Sequence, residues 1–486
     1  MRAVHSVEEV RAAEESLLKR TADGELMLRA ATGLARTCAV ILNQSGVGVY
    51  GANVVLLVGG GNNGGDALFA GALLADRGAH VTAVLASDST HEGGRLALAT
   101  ARGRFLGFTD VDLAPAMTEA DLVIDGMLGI GGRGGLSGIF ADLAVASTEG
   151  DAIVVAADLP SGIDADTGTV AGEAIWADVT VTFGAIKPGL LLVPGADHVG
   201  LLDVVDIGLS AELVSPAITM LEANDVARLQ PHPLSSDHKY SQGVVGVVAG
   251  SAAYPGAAVL CVGAALLTKP GLVRYVGSSA DAVVNAWPSA VVTSSRPRDV
   301  DRVQAWVVGP GLGTDGDAVT ALQDVLSQPH PVIVDADALT LVAIDLSLLS
   351  GRQAWTVVTP HDGEFARLAP DLDVASDRMG AARTLAARLG ITVLLKGSTT
   401  IIADPDGRVR LNPTGTPWLA TAGTGDVLAG MIGAYLSAGL TPLNASSTAA
   451  FVHGVAGRMA SEGAPCSSRD VIDAIPTAIR SLSEEP

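Results

Sequence analysis

The chain is short of aromatic residues, of cysteine and of positive charge, and each shortage removes a class of function. Aromatics make up 3% of the 486 residues, which leaves few platforms on which bases could stack. Lys and Arg number 30 against 52 Asp and Glu, a formal net charge of −22, whereas a nucleic-acid partner calls for a basic face. The three cysteines, Cys38, Cys261 and Cys466, show no metal-ligand spacing and form no even set, so buried free thiols in a reducing compartment are expected. No apolar run reaches the length of a membrane helix, and the first ten residues hold no signal-peptide core. These absences predict a cytoplasmic protein that binds neither nucleic acid nor membrane.

What is present is a folded, layered protein. Hydrophobic residues reach 48% and charged ones 17%, and the length predicts two or three domains. A helical pattern from Val7 to Thr37 is followed by short apolar strands at 53–59, 80–86, 121–125, 152–157, 178–183 and 201–205. A helix is expected from Asp66 to Arg77, closed by Gly78. The rhythm breaks between Val214 and Ala227, where a domain boundary is expected. A second series follows at 243–249, 305–308, 331–334, 354–358 and 391–395, with three long helices after Gly425. Continuous apolar strands separated by helices mean parallel sheets covered on both faces.

The strongest chemical signal is Thr421-Ala-Gly-Thr-Gly-Asp426 running straight into an apolar helix. Its glycines permit close backbone approach, and the amides opening the helix meet an anion with positive dipole. Asp426 then stands beside a phosphate as an acceptor for a hydroxyl proton. Lys396-Gly-Ser-Thr-Thr400 ends the strand-like run 391–395 and adds a second phosphate-facing segment. Gly309-Pro-Gly311-Leu-Gly313, Gly250 to Ala257, and Thr359-Pro-His361-Asp-Gly-Glu364 also follow strands. Asp335 and Asp337 are candidate polar contacts or helix caps.

In the first half, Gly59-Gly-Gly-Asn-Asn-Gly64 satisfies G-x-G-x-x-G after a strand and tempts a reading as a dinucleotide fold for hydride transfer. The continuation Asn62-Asn63-Gly64-Gly65-Asp66 argues otherwise, because amide and carboxylate oxygens suit a hard cation or a polar ligand. Three further segments end strands of the same sheet: Asp125 with the loop Gly129 to Gly135, Asp158-Leu-Pro-Ser161, and Lys187 after Phe183.

Taken together these segments resemble the NAD(P)H-hydrate epimerase domain over residues 1–215. The motifs around Gly309, His361, Lys396 and Asp426 resemble an ADP-dependent NAD(P)H-hydrate dehydratase of the ribokinase-like superfamily over residues 225–486. The resemblance implies an α/β protein of two three-layer αβα domains, the first Rossmann-like and the second ribokinase-like. It implies K⁺ held by Asn63, Asp125 and Ser161, and catalysis by Asp158 and Asp426. It implies hydrated NADH or NADPH bound in the first domain by Asn62, Asn63, Gly64, Gly65, Asp66, Asp158 and the run Gly129, Ile130, Gly131, Gly132, Arg133, Gly134 and Gly135. In the second, Ala257, Gly311, His361 and Asp426 would contact the hydrate. Lys396, Gly397, Ser398, Thr399, Thr400 and Gly425 would hold the AMP part of ADP, with Mg²⁺ taking part. Two departures stand out: Ala67 where glycine is usual, and Asp362 where proline is usual. A homo-oligomer is expected. The alternative is a small-molecule hydroxyl kinase fused to a nucleotide-binding domain.

Overall fold

The central strands of the first half are apolar on both faces, and a parallel sheet buried between two helix layers is the result. The computed structural model describes all residues except 109, 111–112, 133, 270 and 483–486. The chain forms two compact units, one of residues Ala3–Pro216 and one of Met1–Arg2 with Ala217–Pro486.

In the unit of residues 3–216, seven parallel strands run from edge to edge as Arg104–Gly107, His80–Leu85, Asn53–Val58, Leu122–Gly126, Ile153–Ala157, Val179–Phe183 and Leu201–Val205. Successive residues of Asn53–Val58 feed opposite layers: Val54, Leu56 and Val58 enter one core cluster, Val55 and Leu57 the other. Strand order reverses between Asn53–Val58 and Leu122–Gly126, and a crevice opens beyond their C-terminal ends.

The sequence pattern from Val7 to Thr37 resolves into two helices, Val7–Leu18 and Glu25–Gln44. They part where Gly24 takes φ 78°, a left-handed turn that a continuous helix cannot hold. The helix expected from Asp66 begins four residues earlier, spanning Asn62–Ala75. Asn62 to Asp66 are therefore a helical first turn and not a loop. The Ala67 methyl is fully buried against Gly126, so this departure narrows no pocket. The strand Arg104–Gly107 escapes the sequence pattern because it is short and half exposed.

In the other unit, the sheet strands drawn from residues 217–486 run Ile218–Met220, Val409–Asn412, Thr400–Ala403, Thr392–Leu395, Thr356–Val358, Val332–Val334, Ala305–Val308, Val244–Val248, Leu272–Val276 and Val291–Thr293. From Thr392–Leu395 to Val291–Thr293 the pairing is parallel throughout. The reversal lies between Val244–Val248 and Ala305–Val308. The three expected closing helices are Thr424–Ser437, Pro442–Ser461 and Ser468–Ser481. Thr400, the last residue of the Lys396 motif, opens a strand of its own.

No helix among the described residues is long and apolar enough to cross a membrane. Cys38 and Cys261 are buried free thiols, and Cys466 is half-buried.

Candidate functional site

The glycine-rich turn before Thr424–Ser437 aims the start of a buried helix at an open pocket. Gly423 takes φ 88°, and the Thr424 hydroxyl donates to the carbonyls of Leu419 and Thr421 at 2.8 and 2.9 Å, closing the turn. A cavity of about 490 Å³ opens there, lined by His361, Lys396, Gly397, Ser398, Thr400, Gly425 and the Asn412 to Thr421 segment among others. Lys396 reaches it from the end of Thr392–Leu395, and its Nζ is 3.6 Å from where a Cβ on Gly425 would stand. The ammonium donates to Asp335 Oδ1 at 2.8 Å and lies 3.6 Å from Glu364 Oε2. Burial works to lower its pKa, but Asp335 and Glu364 outweigh burial and the net shift is upward.

Asp426 sits in the first turn of the same helix. Burial raises its carboxyl to about 7, with Asp335 and Asp337 adding to the rise and Lys396 opposing it. An acid so placed passes between proton acceptor and neutral form near physiological pH. Gly311 and Ala257 adjoin across the reversal of strand order: a Cβ on Gly311 would lie 2.7 Å from the Ala257 methyl. Asp337 accepts from the Gly313 amide at 2.8 Å and so fixes this loop.

His361 caps the helix Asp362–Leu368, its Nδ1 accepting from the Gly363 amide at 3.0 Å while Glu364 Oε2 accepts from the His361 amide at 2.9 Å. Asp362, the second departure, has a partner: Arg378 donates to both its oxygens at 2.6 and 2.5 Å and to the Lys396 carbonyl at 2.9 Å. An ion pair thereby takes over the stiffening expected of proline. Thr399 is buried and does not line the cavity. His453 does line it, from a helix that no motif flagged. Burial pushes its imidazole down to about 4, with the Thr424 backbone acting against that shift, and its Nε2 has no hydrogen-bond partner among the described residues.

In the other unit a cavity of about 460 Å³ lies at the crevice. Asn62, Asn63, Asp66, Asp158 and residues 129–132 line it, together with Arg11 and Glu14 from the first helix. Asp158 takes φ 65°, a strained conformation for a non-glycine residue. It accepts from the buried Lys187 ammonium at 2.5 Å and from the Phe183 amide at 3.3 Å. Lys187 also donates to Thr182 at 3.0 Å. Burial raises the Asp66 carboxyl well above its usual range, and Asp158 and Glu14 push it further.

Beneath the crevice Asp125 is fully buried, accepting from the Ser161 hydroxyl at 2.7 Å and from the amides of Ser161 and Met127 at 2.8 and 3.1 Å. Burial outweighs these bonds and raises it to about 6. No cationic side chain among the described residues pairs with it.

The glycines of this unit divide. Gly64 packs on the Gly59 carbonyl and Gly65 against Met27 and His91, so both serve close packing of the helix. Gly135 backs onto Gly172, and Gly134 lies away from the cavity lining. Arg133 lies outside the described residues. A larger groove of about 810 Å³, between Glu25–Gln44 and the edge strand Leu201–Val205, holds none of the motif residues.

Two α/β units, one on a parallel sheet with a polar cavity at its reversal of strand order and one on a mixed sheet with its cavity beyond the ends of Thr356–Val358 and Thr392–Leu395, define a protein of two nucleotide-binding units. Comparison with known proteins sharpens this. Residues 245–477 match the family model described as NAD(P)H-hydrate dehydratase, and residues 23–189 match that of the YjeF-related protein N-terminus. A bifunctional NAD(P)H-hydrate repair enzyme of Mycobacterium tuberculosis is 49% identical over 441 residues, covering 90% of each chain. The Mycobacterium leprae enzyme of the same description is 47% identical over 491 residues, 99% of this chain and 100% of that one. A ribokinase-like superfamily protein of Enterococcus faecalis is 25% identical with a TM-score of 0.51, covering 56% of this chain and 98% of that one. The chain belongs to the family of bifunctional NAD(P)H-hydrate repair enzymes.

Proposed function

We infer that the protein restores hydrated nicotinamide cofactors: residues 3–216 interconvert the R and S hydrates, and residues 217–486 dehydrate the S form at the expense of ADP. The observation that carries the second half is Asp426, a carboxyl raised to about 7 in the first turn of a helix whose amides face the Lys396 pocket.

Hydroxide is a poor leaving group, whereas phosphate is a good one. Asp426 takes the proton of the ring hydroxyl as that oxygen bonds to the terminal phosphorus of the nucleotide. The amides of residues 423–425 and the Lys396 ammonium stabilise charge on the transferring group. The ring nitrogen's lone pair then expels phosphate to leave an iminium ion, and loss of a proton from the adjoining ring carbon gives NAD(P)H, with AMP and phosphate as the other products. Lys396, Gly397, Ser398, Thr400 and Gly425 take the AMP portion, while Ala257, Gly311 and His361 face the hydrate. Mg²⁺ would be carried by the nucleotide's phosphates and would neutralise charge there. Among the described residues no group of three or more His, Cys, Asp or Glu could hold a metal by itself, which suits an ion carried by phosphates and water.

In the epimerase unit, Asp158 is the proton acceptor, held by Lys187. K⁺ fits the oxygen set of Asn63, Asp125 and Ser161, because the buried Asp125 carboxylate otherwise has no compensating charge. Bound there, K⁺ would supply that charge.

The test supplies mixed R and S hydrate with ADP and Mg²⁺ and follows recovery of reduced-nicotinamide absorbance to completion. Wild-type protein recovers the whole pool, Asp158→Asn only the S share at the enzymatic rate, and Asp426→Asn none. A stable phosphorylated product without recovery of absorbance would instead favour the hydroxyl-kinase alternative.

A further inference from the structure

The first helix reaches the epimerase cavity from outside the region that matches a family model, which starts at residue 23. Val7–Leu18 is pinned at its start by a capping box between Ser6 and Glu9, and the Val7 amide donates to Asp166 at 2.8 Å. Val10, Ala13 and Leu17 bury its inner face. Arg11 and Glu14, three residues apart, therefore share a neighbouring face, and both line the cavity with Asp158 and Asp66. Arg11 Nη2 donates to the Ile130 carbonyl at 3.1 Å, tying this helix to the glycine run.

The two carboxyl groups of the cavity wall stand in opposite environments. Asp158 is bonded to Lys187, whose side chain is 1% exposed, so its negative charge is compensated. Glu14 has no hydrogen-bond or ion-pair partner among the described residues. Burial raises its pKa and the Asp158 charge raises it further, while Lys187 and Arg11 act the other way without cancelling the shift. Asp66 is the third carboxyl, in the first turn of Asn62–Ala75 and 8% exposed.

Epimerisation of a ring carbinolamine requires this division of labour. One group takes the hydroxyl proton as the carbon–nitrogen bond breaks and a carbonyl forms. Another gives a proton to the departing ring nitrogen. Rotation about the adjoining carbon–carbon bond presents the other carbonyl face, the nitrogen adds back, and both protons return. Nothing is oxidised or reduced, and no co-reactant is consumed.

We propose that Glu14 is the acid of this pair, donating to the ring nitrogen across the bound hydrate from Asp158, with Arg11 holding the Ile130 segment against the same ligand. The inference rests on the reading of this cavity as the epimerase centre.

The test measures exchange of purified R hydrate into S without ADP, by chromatography, as a function of pH. Glu14→Gln is expected to slow exchange by about 100-fold, the lower range of general acid catalysis. It also loses the fall in rate that wild-type protein shows at high pH as the acid deprotonates. Glu14→Asp restores part of the rate and keeps the alkaline fall, and thermal unfolding of each variant checks that it folds. If Asp158→Asn is inactive while Glu14→Gln keeps the wild-type rate and pH limb, the role of Glu14 is overturned and the cavity reading stands. Loss of the alkaline limb in Asp66→Asn, but not in Glu14→Gln, would transfer the role to Asp66. A wild-type rate in Asp158→Asn would overturn the cavity reading itself.

Discussion

The Lys187 ammonium lies 2.5 Å from Asp158 Oδ1 with 1% of its side chain exposed, so it has no water to fall back on, while Asp158 keeps 11% of its side chain exposed at the cavity. Removing one partner of a buried pair leaves the other uncompensated, at a cost of about 3–5 kcal/mol. Asp158→Ala is expected to destabilise residues 3–216 by that order, and Lys187→Met by a similar amount. The double variant recovers most of the loss because no lone charge remains. Epimerisation is absent from Asp158→Ala and from the double variant alike. Urea unfolding and R-to-S exchange on the same samples separate stability from chemistry. Equal instability in the single and double variants would contradict the pairing.

The proposed base Asp426 can accept a proton only when ionised, and its carboxyl is raised to about 7. Dehydration at saturating ADP should therefore rise with pH and level off above that value. Lys396 favours the carboxylate, so Lys396→Met moves the rising limb to higher pH and lowers the plateau. Asp426→Asn has no limb to move and no activity. Initial rates of absorbance recovery from pH 5 to 9 decide it, and an unmoved limb in Lys396→Met would assign the titration to another group.

Much of this was legible in the sequence because the motifs end strands, and strand ends of a parallel sheet converge on one edge. Gly309, His361, Lys396 and Asp426 lie far apart in the chain yet gather at one end of one sheet. What the sequence hid was of two kinds. Short or partly exposed strands such as Val291–Thr293 and Arg104–Gly107 carry too little apolar pattern to register. Residues from elements with another evident purpose, such as Glu14 in an amphipathic helix and His453 in a buried one, look like ordinary helix composition until packing turns them to a cavity. The close packing of Gly64 and Gly65 against backbone and side chains was likewise invisible in the spacing of the motif that starts at Gly59.

Asp125 gives the cation proposal a stability readout. Its carboxyl is raised to about 6, so the folded protein holds this proton more tightly than the unfolded chain does. Without K⁺, stability contributed by this group is present at low pH and falls as pH rises from about 4 towards 6. Added K⁺ at about a hundredfold its Kd should stabilise residues 3–216 by about 2.7 kcal/mol at pH 8. Choline chloride at equal ionic strength should not. Asp125→Asn is expected to lose the K⁺-specific shift while matching or exceeding wild-type stability in choline. An identical rise with both salts would remove K⁺ from this site.

The two helices that carry Asp426 and Ala257 are locked by a glycine. A Cβ on Gly430 would lie 2.2 Å from the Cys261 carbonyl, so Thr424–Ser437 and Pro255–Thr268 approach backbone to backbone. Asp426 stands one turn before Gly430 on the first helix, and Ala257 lies in the first turn of the second. Gly430→Ala must push the pair apart, at about 1–3 kcal/mol for an overpacked core. The same shift moves the base away from the hydrate, where a misplacement of about 1 Å costs about 100-fold in rate. Dehydration should fall by that order while epimerisation by the same protein is unchanged. Gly316→Ala is the matched control, because its added methyl meets nothing within 4 Å. It should leave dehydration untouched, and thermal unfolding should show no loss of stability. If Gly430→Ala keeps wild-type dehydration, the spacing of these helices does not set the position of Asp426.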